Sequence, residues 1–98
     1  MRARYSAYAL GIVDYIIDTT LPAGPHWQAD RASWASELRS YCQQTEFLGL
    51  TVLSAPPPEQ SGRGRVHFRA LLRGSGRQRL QEEDSRFVHL GGRWLYER

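Results

Sequence analysis

The spacing of apolar and polar residues changes once along this chain, close to residue 45. Before that point the period is helical. In MRARYSAYALGIVDYII, Ser6, Leu10, Val13 and Ile17 form one stripe, and Tyr5, Tyr8, Ala9, Ile12 and Ile16 form a second beside it. The polar side is narrow, holding Arg4, Gly11, Asp14 and Asp18. A helix apolar around most of its circumference is buried on most sides. Glycine costs about 1 kcal/mol inside a helix, so Gly11 predicts a break and two short helices in sequence. Pro22, Gly24 and Pro25 end this segment. Asp30 or Ser33 can cap a third helix. Its apolar face carries Trp34, Leu38, Tyr41 and Cys42, its outer side Glu37, Arg39 and Gln43, and it should end near Gln44.

From Glu46 onward the period is two. EFLGLTVLSA reads as a strand, with Gly49 marking a bulge or a close backbone approach. The stiff PPPEQSGRG stretch is a loop. RVHFRALLR then alternates, with Val66, Phe68, Ala70 and Leu72 on one face and Arg65, His67, Arg69 and Arg73 on the other. Gly74-Ser75-Gly76 is a hairpin turn, RQRLQEEDSRFVHL a long third strand, Gly91-Gly92 a tight turn, and RWLYER the last strand. Helices followed by hairpin-linked strands predict an α+β domain over residues 1–98, with three helices packed on one face of a curved four-stranded antiparallel sheet. A curved sheet crossed by helices tends to enclose a cavity.

Composition narrows the setting. A chain of 98 residues buries roughly 60–65% of its unfolded surface, enough for one core. No apolar run approaches the roughly 18 residues of a membrane span, and no signal peptide is expected at the start. Cys42 is the single cysteine, so neither an internal disulfide nor a multi-cysteine metal site is expected, and the default location is the cytoplasm. All 13 basic residues are arginine, which fits a GC-rich bacterial genome; the net charge of +3 permits an anionic partner without demanding one.

Few residues carry candidate chemistry. Along the third strand Glu83, Ser85 and Phe87 share one face, and Glu82, Asp84, Arg86 and Val88 the other. Phe87 anchors the inner side, which puts Glu83 and Ser85 within the cavity. A carboxylate there needs a partner, with Arg4 or a tyrosine the expected one. Trp34, Trp94 and Tyr96 are expected between helix and sheet, and Glu83 and Glu46 can accept from buried tyrosine hydroxyls. The expected pocket residues are therefore Arg4, Tyr5, Tyr8, Trp34, Glu46, Glu83, Ser85, Phe87, Trp94 and Tyr96. Arg4 is expected to pair with an acid rather than grip phosphate. His67 reads as a solvated member of a basic row, Cys42 as a small buried hydrophobe, and the histidines show no metal-ligand spacing. The outer arginines lack the interleaved aromatics of a single-strand nucleic-acid platform, and Glu82 and Asp84 offer them cross-strand partners. Nucleic acid is therefore not an expected partner, whereas a homodimer through the outer sheet face is.

MRARYSAYALGIVDYI, TEFLGLTVL, RVHFRALLR and EEDSRFVHLGGRWLYE together resemble the central domain of the bacterial YchJ-like, SEC-C-associated proteins. Arg2, Arg4 and Tyr5 match the family's opening Arg-x-Arg-Tyr, and Tyr15 its Asp-Tyr. Thr45, Glu46, Leu48, Gly49 and Leu50 match Thr-Glu-Trp-Leu-Gly-Leu, with Phe47 replacing the tryptophan. Glu83, Ser85, Arg86 and Phe87 match Glu-x-Ser-Arg-Phe; Gly92 and Trp94 match the closing Gly-x-Trp. The resemblance implies a cone-shaped nuclear-transport-factor-2-like (cystatin-like) fold. The family's cysteine-rich metal-binding segments are not among these residues, so no metal or cofactor is carried over. Thr20-Leu21-Pro22 replaces the family's Trp-His-Pro; were that histidine catalytic in relatives, this chain would lack the activity. The functional expectation is a non-catalytic small-ligand-binding or protein-interaction module. The alternative is a small isomerase- or hydrolase-type enzyme with Glu83 as base and Tyr5 or Tyr8 as donor.

Overall fold

The computed structural model describes residues 2–98. Its elements are α1 (Arg2–Leu10), α2 (Val13–Asp18), α3 (Arg31–Gln44), β1 (Thr45–Ser54), β2 (Arg63–Gly74), β3 (Arg77–Leu90) and β4 (Arg93–Tyr96). The break between the first two helices falls at Gly11, whose φ of +70° is left-handed and stops helix propagation. The predicted stripes are kept in α2 but lapse around the break. Leu10 and Ile12 stand exposed, and the burial passes to Ala7, Val13, Ile16 and Ile17. Arg4, expected on the polar side, is only 7% exposed.

Asp30 caps α3, its Oδ1 accepting from the Ser33 amide at 3.1 Å. The buried face of α3, Trp34 and Ala35 with Leu38 beside them, packs on Val13 and Ile17. No residue separates α3 from β1.

The strands form one antiparallel sheet in the order β1-β2-β3-β4. The register of β1 slips between Phe47 and Gly49, at the predicted bulge, and again between Val52 and Ser54. Ser75-Gly76 and Gly91-Gly92 turn with positive φ at both central residues, the backbone a two-residue hairpin requires. The last strand stops at Tyr96 rather than running to Arg98. Beyond it, Glu97 and Arg98 both donate to the Arg86 carbonyl, so the ladder loses its one-to-one register. Tyr96 itself is held from the other side: its amide donates to Thr19 O at 2.7 Å and its carbonyl accepts from the Leu21 amide at 2.8 Å.

Phe68, Ala70 and Leu72 of β2 form a second apolar cluster, against which Tyr5, Phe47, Leu50 and Val66 pack. This is a cone of three helices on a curved sheet. Among the described residues no helix is long and apolar enough to cross a membrane.

Candidate ligand cavity

Between the helices and the inner faces of β2 and β3 lies a cavity of about 530 Å³. Its floor is Phe68, Ala70 and Leu72, with Gln81, Glu83 and Ser85 beside them from β3. The helices and β1 together supply an aromatic wall. Tyr8, Tyr41 and Phe47 sit with ring centroids 6.1 Å apart in each pairing, and Tyr5 meets Phe47 edge-on at 5.8 Å. The exposed lining residues His26, Gln28 and Gln81 form a polar rim.

Polar contacts concentrate on Tyr96. Its hydroxyl donates to Glu83 Oε1 at 2.8 Å. Burial pushes the phenol pKa up strongly, and the bond to Glu83 adds to this because ionisation would set two anions in contact. The His26 ring stacks on the Tyr96 ring, with centroids 5.4 Å apart. The Arg4 guanidinium carbon stands 4.6 Å from the Tyr96 ring centroid, a cation–π contact.

Arg4 is anchored through one nitrogen. Its Nη1 donates to Thr19 Oγ1 at 2.7 Å and to the Ile16 carbonyl at 3.1 Å. Burial lowers its pKa, opposed by Tyr8, Tyr96 and Tyr15 around it; an arginine so placed keeps its charge at neutral pH. No carboxylate pairs with it among the described residues, so the expected acidic partner is absent. Glu83 is linked to it only through Tyr96. Burial likewise raises the pKa of Tyr8, with Arg4 opposing. Two buried hydroxyls bordering the cavity, those of Tyr5 and Ser85, have no hydrogen-bond partner among the described residues.

A family model for the YchJ middle NTF2-like domain matches residues 1–98. This chain belongs to that family. It is similar to UPF0225 proteins of Pectobacterium carotovorum, at 36% identity over 98% of this chain and 61% of the relative, and of Actinobacillus succinogenes, at 32% over 98% and 59%. The chain thus spans about three-fifths of the length of these relatives. A SEC-C motif containing protein from Rhodopseudomonas palustris superposes with a TM-score of 0.80 at 35% identity, over 100% of this chain and 72% of that one. Another from Psychrobacter arcticus gives 0.77 at 26% identity, over 100% and 56%. A third solved chain, with NTF2 in its name, gives 0.73 at 20% identity and speaks to the fold alone.

In this YchJ middle domain, seven of the ten expected pocket residues border the main cavity: Arg4, Tyr5, Tyr8, Trp34, Glu83, Ser85 and Tyr96. Phe87 and Trp94 do not. They line a smaller hollow of about 350 Å³ at the other end of the inner face, which Arg4 also borders. Trp94 covers Gly64 there, where a Cβ would come within 3.3 Å of the indole. Glu46 is outside both hollows. Alternation places it opposite to the inward Phe47, and it pairs with Arg73 at 3.6 Å on the outer face. His26, Gln28 and Gln81 were not anticipated. His26 and Gln28 lie in a proline-glycine segment without periodicity, and Gln81 is a polar residue on an inward strand position.

The outer face is a ladder of opposite charges. Arg65 bonds Asp84, Arg69 Nε donates to Glu82 Oε1 at 2.6 Å, and His67 Nε2 stands 3.0 Å from Glu82 Oε2. Three leucines cross it. Leu71 pairs with Leu80, and Leu48 sits in the bulge beside Leu71; all three are exposed. Cys42 is half-buried, and burial raises its thiol pKa, which disfavours the reactive thiolate.

Proposed function

We propose that this domain is a small-ligand-binding module whose site is the cavity between the helices and β2–β3. The observation that carries the reading is the pair of buried hydroxyls, Tyr5 and Ser85, beside a buried arginine, with neither a partner for the hydroxyls nor an acid for the arginine among the described residues. Buried polar groups are almost always satisfied in folded proteins, and a cavity of about 530 Å³ falls in the size range of small-molecule sites, roughly 300–1,000 Å³. A small-molecule fragment library screened by amide NMR tests it. Hits should move the Phe68, Ala70 and Ser85 amides, and Ala70→Phe, which fills the floor, should abolish them. A full screen that leaves those amides still removes the reading.

A second reading, a small isomerase- or hydrolase-type enzyme, draws on the 2.8 Å contact between Tyr96 and Glu83. Glu83 would be the base, held in place by the Tyr96 hydroxyl, and Tyr5 or Tyr8 the hydrogen-bond donor. Glu83→Gln separates the two: the binding module keeps its ligand affinity within a few fold, while an enzyme loses turnover. The outer-face leucines Leu48, Leu71 and Leu80 support self-association of two copies. Light scattering should report a dimer that Leu80→Glu converts to monomer.

A further inference from the structure

Building on the ligand-binding reading above, we infer that the cavity takes a small carboxylate with an aromatic or alicyclic body, its oxygens accepting hydrogen bonds from Arg4, Tyr5 and Ser85. Three features of the lining favour an anion over a cation or a neutral molecule.

The first is the charge at the inner end. Arg4 is 7% exposed, and no acid among the described residues neutralises it. A buried charge without a counter-ion is costly. Its hydrogen bonds to Thr19 and Ile16 leave from Nη1, and the Tyr8 hydroxyl also lies against the guanidinium. The Nε–Nη2 edge, the fork that matches a carboxylate, is not engaged by any acid. The second is the kind of unsatisfied atom. Tyr5 and Ser85 bring hydroxyls, each a donor, and Ser85 has no exposed surface at all. A hydroxyl can donate or accept, but beside a guanidinium edge that only donates, the two can add donors to one shared acceptor. The third is the condition of Glu83. It is the single carboxylate in the lining, sits half-buried, and already accepts from Tyr96. Its charge is partly answered, and the Tyr96 side chain stands between it and Arg4, with Glu83 at the hydroxyl and Arg4 at the ring. The wall of Tyr8, Tyr41 and Phe47 suits a flat apolar body.

Calorimetric titration of the full chain with phenylacetate, phenylacetamide and phenethylammonium separates the ligand classes. Phenylacetate should bind at least about tenfold tighter than the other two, the equivalent of losing one charge-assisted contact. Arg4→Gln should weaken it about 10–100-fold, and Ser85→Ala about 3–10-fold. Arg4 also holds Thr19, so the Arg4 Nε–H resonance of the unmutated protein gives an independent readout: it should shift on adding phenylacetate. Equal or tighter binding of the amide or the ammonium overturns the carboxylate assignment while leaving the cavity a ligand site. If phenylacetate, cyclohexanecarboxylate and hexanoate at millimolar concentration all leave the Arg4 Nε–H and Ser85 amide unmoved, the assignment also falls. In that case positive fragments from the NMR screen keep the ligand reading, and a negative screen removes both.

Discussion

Replacing Ser85 by alanine should make the unliganded domain more stable. Ser85 has no exposed surface, and its Oγ has no partner. Leaving a hydroxyl buried and unsatisfied costs about 1–3 kcal/mol. Alanine removes that cost and gives up the packing of one oxygen atom, worth about 0.5–1 kcal/mol from a handful of contacts. The net gain is about 1 kcal/mol, and for a domain of this size that raises Tm by about 4–8 °C. Differential scanning calorimetry on dialysed protein, with the urea midpoint as a second measure, gives the answer. A loss of 4 °C or more, about 1 kcal/mol, would refute the reasoning. It would mean that the Oγ is hydrogen-bonded in solution and is not held ready for a ligand. Coupled with weaker carboxylate binding by the same variant, a gain in Tm is the signature of stability given up for function.

Tyr96→Phe removes the hydroxyl that donates to Glu83 and should cost about 1–2 kcal/mol, read as a lower urea midpoint; an unchanged midpoint contradicts that bond. Burial and Glu83 raise the pKa of Tyr96 in the folded state, so the folded chain holds this proton more tightly than the unfolded one. Stability should then fade as pH rises past about 10, where unfolded tyrosines ionise, and Tyr96→Phe should flatten that limb. At the acid end, Arg69 and His67 lower the Glu82 pKa and Arg65 lowers that of Asp84. Their contribution is complete above about pH 4 and is lost as pH falls through the depressed folded values; about 1 M salt should shrink this acid limb because the pairs are exposed, and a salt-independent limb would argue for buried groups instead. Gly11→Ala should lower stability by about 1 kcal/mol despite alanine's helix preference, because φ is +70° there; stabilisation in chemical denaturation would show that the break is not required.

The fold was legible because its punctuation is chemical. Gly11, Asp30, Ser75-Gly76 and Gly91-Gly92 each sit where only a few residue types suit the backbone, and each marks a boundary, while Gly49 marks the bulge in β1. Alternation along β3 put Glu83 and Ser85 on the inner face without any three-dimensional information. Arg4 defied the helical pattern. A charge counts as polar on a wheel, yet this one is buried by Thr19 and Ile16, which stand 15 and 12 residues away, and no local pattern encodes such partners. That Glu83 accepts from a tyrosine follows from the sequence, but that the tyrosine is Tyr96 does not. The two lie on different strands and meet because β4 pairs only with the end of β3 and the Tyr96 side chain leans back along it. Trp94 shares the inner face but borders the smaller hollow, since periodicity gives a side and not a distance along it.

The direct passage from Gln44 of α3 to Thr45 of β1 acts as a rigid corner. Tyr41 lies on the helical arm and Phe47 on the strand arm, and the two rings face each other across the corner at 6.1 Å. With no linker to absorb a rotation, the arms cannot open independently, and Thr45 is fixed opposite Gly74 by the sheet. The width of the cavity at this wall is therefore set by backbone geometry, so resizing it takes a change in the corner itself and not only in the side chains that line it. An inserted residue here would uncouple helix from sheet, much as lengthening one leg of a tripod tilts whatever rests on it.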